Sequence, residues 1–306
     1  MTTVVVLGGT GFLGWRLVHR LAAEGAVVRV AVRYPEGARS ALPAADLAQV
    51  TFFRADVREQ TSVAAAMAGA DAVVNAVSAY VEKGGVSFEA VHVQGAETVA
   101  REAVRLGVAR LVLISGLGAD PQSRSPYIRS RGRGELAVQQ AFPDATIVRP
   151  SAMFGPGDAL FGTLANLARL LPVMPLIGGG RTRLQPVYVE DVAEAVARIL
   201  ADPGTVGRTY ELAGPEVYTL RDLVRFTLRV VGKRRLLMPL PFAVAEIQAR
   251  LFELLPSPPL TTGQVDLLKA DSVAGGVLPG LRELNIPPKA VERVVPTYIG
   301  RSPSGV

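Results

Sequence analysis

The sequence predicts an α/β protein built on a doubly wound parallel sheet, followed by a smaller, helix-rich C-terminal region. Two patterns carry that expectation. Short β-branched apolar runs alternate with helical periodicity through the first half, and such alternation gives a parallel sheet covered on both faces. Past Pro150 glycine and proline thicken (Gly155, Pro156, Gly157, then Gly178 to Gly180) and the alternation breaks.

Thr3–Leu7 is the first apolar run, followed at once by the glycine-rich residues 8–14. Leu13, Leu17 and Leu21 then recur at i, i+4 and i+8, one stripe of a helix that Gly25 ends. Further strands are expected at Val27–Val32, 51–53, 71–76, 111–115 and 146–148. Phe88, Val91, Gly95, Val99, Ala103 and Leu106 mark one face of a long helix between the fourth and fifth. Residues 1–150 form the first domain, with 184–205 returning to it through a helix bearing Val192, Ala195, Val196 and Ile199. Residues 151–183 and 206–306 make the smaller region, where a strand is expected at 210–212 and a helix at 220–231. The polar tail at 302–305 is expected to fray. In residues 242–255, Glu246, Arg250 and Glu253 share one helical face, and Val244, Ile247, Leu251, Leu254 and Leu255 the other. That helix either packs on its own domain or offers an amphipathic surface to a partner or membrane.

Composition narrows the functions. At 306 residues, 49% hydrophobic and 20% charged, the chain is long and apolar enough to bury a large core without disulfides. With no cysteine and two separated histidines, His19 and His92, no metal site is expected. Neither histidine is read as an acid or base. The net charge of +6 comes from scattered arginines rather than from a basic cluster with stacking aromatics, so no nucleic-acid partner is expected. No basic leader precedes the first strand and no apolar window reaches about 18 residues. A cytoplasmic protein is expected, peripheral on the inner face of the plasma membrane if attached at all.

The strongest chemical signal is Leu7-Gly8-Gly9-Thr10-Gly11-Phe12-Leu13-Gly14, which follows a strand and opens a helix. Glycines there permit a tight bend, let main-chain amides approach a diphosphate and leave a helix N-terminus facing it. Gly8, Thr10, Gly11, Phe12, Leu13 and Gly14 are therefore candidate contacts of a dinucleotide in a Rossmann-type fold. The second strand ends at Arg33, where an NAD site would place a carboxylate for the ribose hydroxyl. A guanidinium suits a 2′-phosphate instead. NADP(H) is the expected cofactor, ahead of NAD(H).

The glycine motif resembles that of the short-chain dehydrogenase/reductase superfamily, in its extended or atypical branch of epimerase/dehydratase-like members. Asp56 and Val57 match that family's adenine-contacting pair, Ala76 and Val77 after Asn75 its main-chain cofactor contact, and Ser115 its catalytic hydroxyl. Tyr127-Ile128-Arg129-Ser130-Arg131 stands where the family has Tyr-x-x-x-Lys, and Pro150 leads to the substrate side. Arg131 keeps the charge and the i, i+4 spacing, but a planar fork does not replace a compact ammonium. Over nearly the whole chain the resemblance is to one atypical subgroup, the nucleotide-binding accessory subunit of respiratory complex I and its bacterial relatives. It runs through residues 113–120, 127–135, 147–155, 176–191 and 210–215. That likeness implies tightly held NADPH with a structural role, and complex I subunits and a membrane surface as partners. The competing expectation is an NADP-dependent reductase, epimerase or dehydratase on a small carbonyl or sugar-nucleotide substrate. Tyr127 would be its acid/base, with Ser115 and Arg131 assisting.

Overall fold

The structure, a computed structural model, describes residues 2–40, 49–255 and 260–300; the tail at 302–305 lies outside them. Seven strands form the main sheet: β1 (Thr3–Leu7), β2 (Val27–Val32), β3 (Val50–Arg54), β4 (Ala72–Asn75), β5 (Arg110–Ile114), β6 (Thr146–Pro150) and β11 (Thr209–Leu212). Their order is β11-β6-β5-β4-β1-β2-β3, and every pairing is parallel. The winding reverses between β1 and β4, which leaves a crevice at their carboxyl ends.

Both faces are covered, as the unbroken apolar strands require. The pleat of β1 sends Val4 and Val6 to one core, with α1 (Phe12–Ala23) and α7 (Val189–Ala201). Val5 and Leu7 point to the other, with α3 (Gln60–Met67), α4 (Ala96–Arg105) and α5 (Pro126–Ala141). The seventh strand, at 209–212, extends the main sheet beyond the expected boundary at 205. Leu281, Leu284 and Ile286 also return to pack against α7 in the first core.

The helix expected across 88–106 is not uniform. Glu89–Gly95 is wound as a π-helix that runs into α4. Its close neighbours explain the small residues nearby: a Cβ on Gly95 would lie 2.7 Å from the Val57 side chain, and one on Gly134 of α5 would collide with the His92 carbonyl oxygen.

The smaller region holds three two-stranded pairs. β7 (Met153–Phe154) pairs with β10 (Val187–Tyr188), β9 (Arg183–Leu184) with β12 (Tyr218–Thr219), and β8 (Val173–Ile177) with β13 (Leu236–Leu240). α6 (Ala159–Leu170) and α8 (Leu220–Val230) enclose its core, where Phe161 meets Phe154 and Phe226 edge-on. Asp158 begins α6 by accepting from the Phe161 and Gly162 amides, and the Tyr298 hydroxyl donates to its other oxygen.

The helix α9 (Phe242–Phe252) packs on α10 (Thr262–Leu267) through Ala245, Ala249 and Val265. Its charged face bonds its own domain: Glu246 pairs with Lys269 at 2.9 Å and Glu253 accepts from the Thr262 amide at 2.7 Å. Val244, Ile247, Leu251, Leu254 and Leu255 are exposed, Ile247 and Leu251 at 61% each. Small alanines permit close seating and Phe242 packs beside them, so the helix docks without Val244, Ile247 or Leu251. No helix among the described residues is long and apolar enough to cross a membrane.

Candidate nucleotide-binding site

The glycine turn sits at the switch point. Gly8 adopts φ +78°, its amide donates to the Ala31 carbonyl at 3.0 Å, and the Gly11 amide donates to the Gly8 carbonyl at 3.0 Å. A Cβ on Gly14 would collide with the Gly8 oxygen and stand 2.8 Å from the Gly9 Cα, so only glycine lets the helix start so close to the turn. A Cβ on Gly8 would meet the Ala76 oxygen at 3.0 Å, which brings the end of β4 against the turn. No side chain caps α1, and its first amides face the crevice between β1 and β4. A diphosphate fits that cradle through main-chain N–H groups and the helix dipole. Arg16, one turn on, covers the Phe12 ring at 4.3 Å. It donates to the Pro156 carbonyl at 2.5 Å and pairs with Glu190 at 3.1 Å, tying the glycine helix to the second region.

Beyond the turn, the ends of β2 and β3 and the start of α2 (Pro35–Ser40) enclose a cavity of about 420 Å³. Arg33, Tyr34, Arg54, Asp56, Arg58 and Glu59 line it. Asp56 is buried and accepts from Arg58 Nε at 2.9 Å and Nη2 at 2.6 Å. That guanidinium holds its carboxyl below the usual carboxylate range, and Arg33 adds to the same effect.

The tyrosine site lies at the ends of β4 and β5. Ser125 caps α5 by accepting from the Ile128 amide, and Pro126 begins its first turn. Tyr127 follows, 7% exposed and boxed by aromatic rings. Tyr80 stacks on it at 5.6 Å and 16°, while Phe88 and His92 meet it edge-on at 5.5 and 5.4 Å. Charge repulsion from the neighbouring Tyr127 phenol pushes the Tyr80 phenol up.

His92 is 4% exposed. Its Nε2 accepts from the Ala79 amide at 3.0 Å, so the ring proton sits on Nδ1, which donates to Ser130 Oγ at 2.9 Å. Ser130 in turn donates to the Tyr127 carbonyl at 2.7 Å. Burial, with Arg131 nearby, pulls the His92 pKa down to about 3, and the ring is neutral at physiological pH. A chain of hydrogen bonds thus fixes the π-helix to the turn of α5 that carries Tyr127.

Arg131, one turn after Tyr127 on α5, is half-buried. Its Nη2 donates to the Ile114 carbonyl at 3.0 Å, and its Nε is buried with no hydrogen-bond partner. Ser115 Oγ is buried without a partner as well, so it makes no hydrogen bond to Tyr127. Both line a cavity of about 10 Å³ with Asn75, His92 and Leu113, room for one water-sized group. Two orphaned polar atoms beside the crevice fit the polar end of a ribose–nicotinamide pair. Pro150, at the end of β6, accepts from the Leu117 amide and steadies the loop after Ser115.

The structure thus gathers Gly8, Thr10, Gly11, Phe12, Leu13, Gly14, Ala76 and Val77 around one crevice end, Arg33 and Asp56 at a second cavity, and Ser115 and Arg131 at a third, with Tyr127 against its His92 wall. Val57 is turned inward against Gly95. The Tyr80–His92 half of the aromatic box was not legible in the sequence. Tyr80 follows β4 in an irregular loop, and nothing in the periodicity marks a π-helix. Among the described residues no group of three or more His, Cys, Asp or Glu side chains could hold a metal ion.

A Rossmann-type sheet with a glycine cradle at its switch point defines a dinucleotide-binding protein of the extended epimerase/dehydratase type. The chain belongs to the NAD dependent epimerase/dehydratase family, whose model matches residues 4–213. It is 36% identical over 295 residues, 92% of this chain and 73% of the relative, to the Arabidopsis thaliana NADH dehydrogenase (ubiquinone) 1 alpha subcomplex subunit 9, mitochondrial. It is 32% identical over 240 residues, 78% of this chain and 73% of the relative, to ceramide reductase of Caulobacter vibrioides. Among solved structures, Thermus thermophilus UDP-glucose 4-epimerase in complex with NAD superposes with a TM-score of 0.64 at 26% identity, covering 78% of this chain and 86% of that one. One expectation is corrected here. The cytoplasmic, plasma-membrane-peripheral placement is overturned by the complex I relatives, which are mitochondrial proteins; the absence of a leader pattern says nothing about location.

Proposed function

We propose that the chain is an NADP(H)-holding accessory subunit associated with respiratory complex I, with the dinucleotide serving structure rather than turnover. The observation that carries this is Arg131. The cation standing where the family keeps its lysine commits one arm to the Ile114 carbonyl and leaves its buried Nε without a partner. Sequence likeness over 92% of the chain to a complex I subunit supports the same reading. In it, the amides at 8–14 hold the diphosphate, Arg33 meets the 2′-phosphate, and Asp56 faces the adenine side. The exposed stripe of α9 is the surface offered to neighbouring subunits or to the membrane headgroups. When bound, the nicotinamide supplies hydride chemistry; the chain's residues hold it and exclude water.

The second reading, an NADP-dependent reductase, epimerase or dehydratase on a small carbonyl or sugar-nucleotide substrate, is favoured by the partnerless Ser115 Oγ beside a buried tyrosine and by likeness to a reductase. There Tyr127 donates or takes the proton at the substrate oxygen, with the Tyr80 ring stacked against it. The two separate on purified protein. NADPH oxidation with any of a carbonyl panel, abolished by Tyr127→Phe, sinks the accessory reading. Co-purification with complex I subunits, together with no activity on Arg131→Lys, sinks the enzyme reading.

A further inference from the structure

We propose that Arg54 is a second anchor for the cofactor's 2′-phosphate and that Glu59 competes with that phosphate for it, setting how strongly NADPH is preferred over NADH. The inference rests on the NADP(H) reading of the crevice and assigns its discrimination to a switchable ion pair.

The three arginines of the 420 Å³ cavity are not equivalent. Arg58 is committed, holding both oxygens of the buried Asp56. Arg33 makes no ion pair among the described residues and lies over the Tyr34 ring at 5.9 Å. Arg54 stands between these cases. Parallel pairing sets it opposite Val32, one residue before Arg33, and both arginines line the cavity. It grips Glu59 with both arms, Nη1 to Oε2 at 3.0 Å and Nη2 to Oε1 at 3.2 Å, and both side chains are well exposed, at 62% and 47%.

An exposed pair of that kind is held weakly, since water and salt screen it. A phosphate dianion offers the same fork two oxygens and more charge. Arg54 can therefore exchange a carboxylate for a phosphate by a rotamer change, while Arg58 cannot leave Asp56 without stranding a buried carboxylate. Glu59 is left to water, and Glu36 on the same rim adds to the repulsion a phosphate must overcome. Without a 2′-phosphate the Arg54–Glu59 pair stays closed. NADH binding is then indifferent to it.

The test titrates the full chain with NADPH, NADH and adenosine 2′,5′-bisphosphate, read by calorimetry and by the fluorescence of the single tryptophan, Trp15, on the glycine helix. Glu59→Gln should tighten NADPH and the bisphosphate about fivefold, ~1 kcal/mol, and leave NADH within about twofold. Arg54→Ala should weaken both phosphorylated ligands about tenfold or more and again spare NADH. Both positions are exposed, so melting temperatures should match the wild type. If neither variant alters NADPH binding while Arg33→Ala weakens it, the inference fails and the NADP(H) reading stands. If the wild-type chain binds NADH as tightly as NADPH and ignores the bisphosphate, the NADP(H) reading itself fails and takes the inference with it.

Discussion

His92 should make this protein acid-sensitive in a way that a single substitution removes. The ring is buried and neutral, with a folded-state pKa of about 3 against 6.5 when unfolded. The unfolded chain therefore binds one more proton than the native one between those values, and stability falls as pH drops through that window. Above pH 6.5 both states carry a mostly neutral ring and little is lost. From about pH 7 to about pH 5 the unfolded imidazole becomes almost fully protonated while the native one does not. The linkage then removes about 2 kcal/mol. Any native pKa below ~4 gives the same figure, because the native ring stays neutral throughout. The assay is urea unfolding of the wild type and His92→Gln at both pH values. The substituted amide keeps an acceptor for the Ala79 N–H and carries no titrating group, so the variant's loss on acidification should be smaller by about 2 kcal/mol. Parallel losses in the two proteins would show that the ring titrates alike in the folded and unfolded chain, and the hydrogen-bond chain through Ser130 would be wrong.

Gly14→Ala drives a Cβ into the Gly8 oxygen and should cost ~1–3 kcal/mol of overpacking. That lowers the melting temperature by about 2–4 °C per kcal/mol, and calorimetry should show dinucleotide binding lost with it. Arg33→Asp replaces an attractive with a repulsive charge at the second cavity and should shift preference from NADPH toward NADH; unchanged relative affinities would remove Arg33 from the site. Ile247→Asp with Leu251→Asp, on the exposed face of α9, should leave the melting temperature unchanged while abolishing pull-down of complex I subunits. A large loss of stability would mean that the stripe is covered by this chain itself.

The alternation of β-branched runs with helical stripes and the glycine spacing at 8–14 specified the doubly wound sheet and its crevice by themselves, because both are local. A strand buried on two faces must be continuously apolar, and a turn pressed against its own helix admits glycine alone at position 14. The position of Arg33 on the second cavity was legible for the same reason, as the residue that follows a recognisable strand. The remainder depended on contacts between distant segments. Which stripe of residues 242–255 faces inward turned on the small Ala245 and Ala249 seating against α10, not on overall amphipathicity. The role of Arg131 turned on a carbonyl 17 residues away. The state of His92 turned on burial between a loop and α5, which sequence spacing does not encode, since a pKa is set by desolvation and partners that only the folded chain assembles.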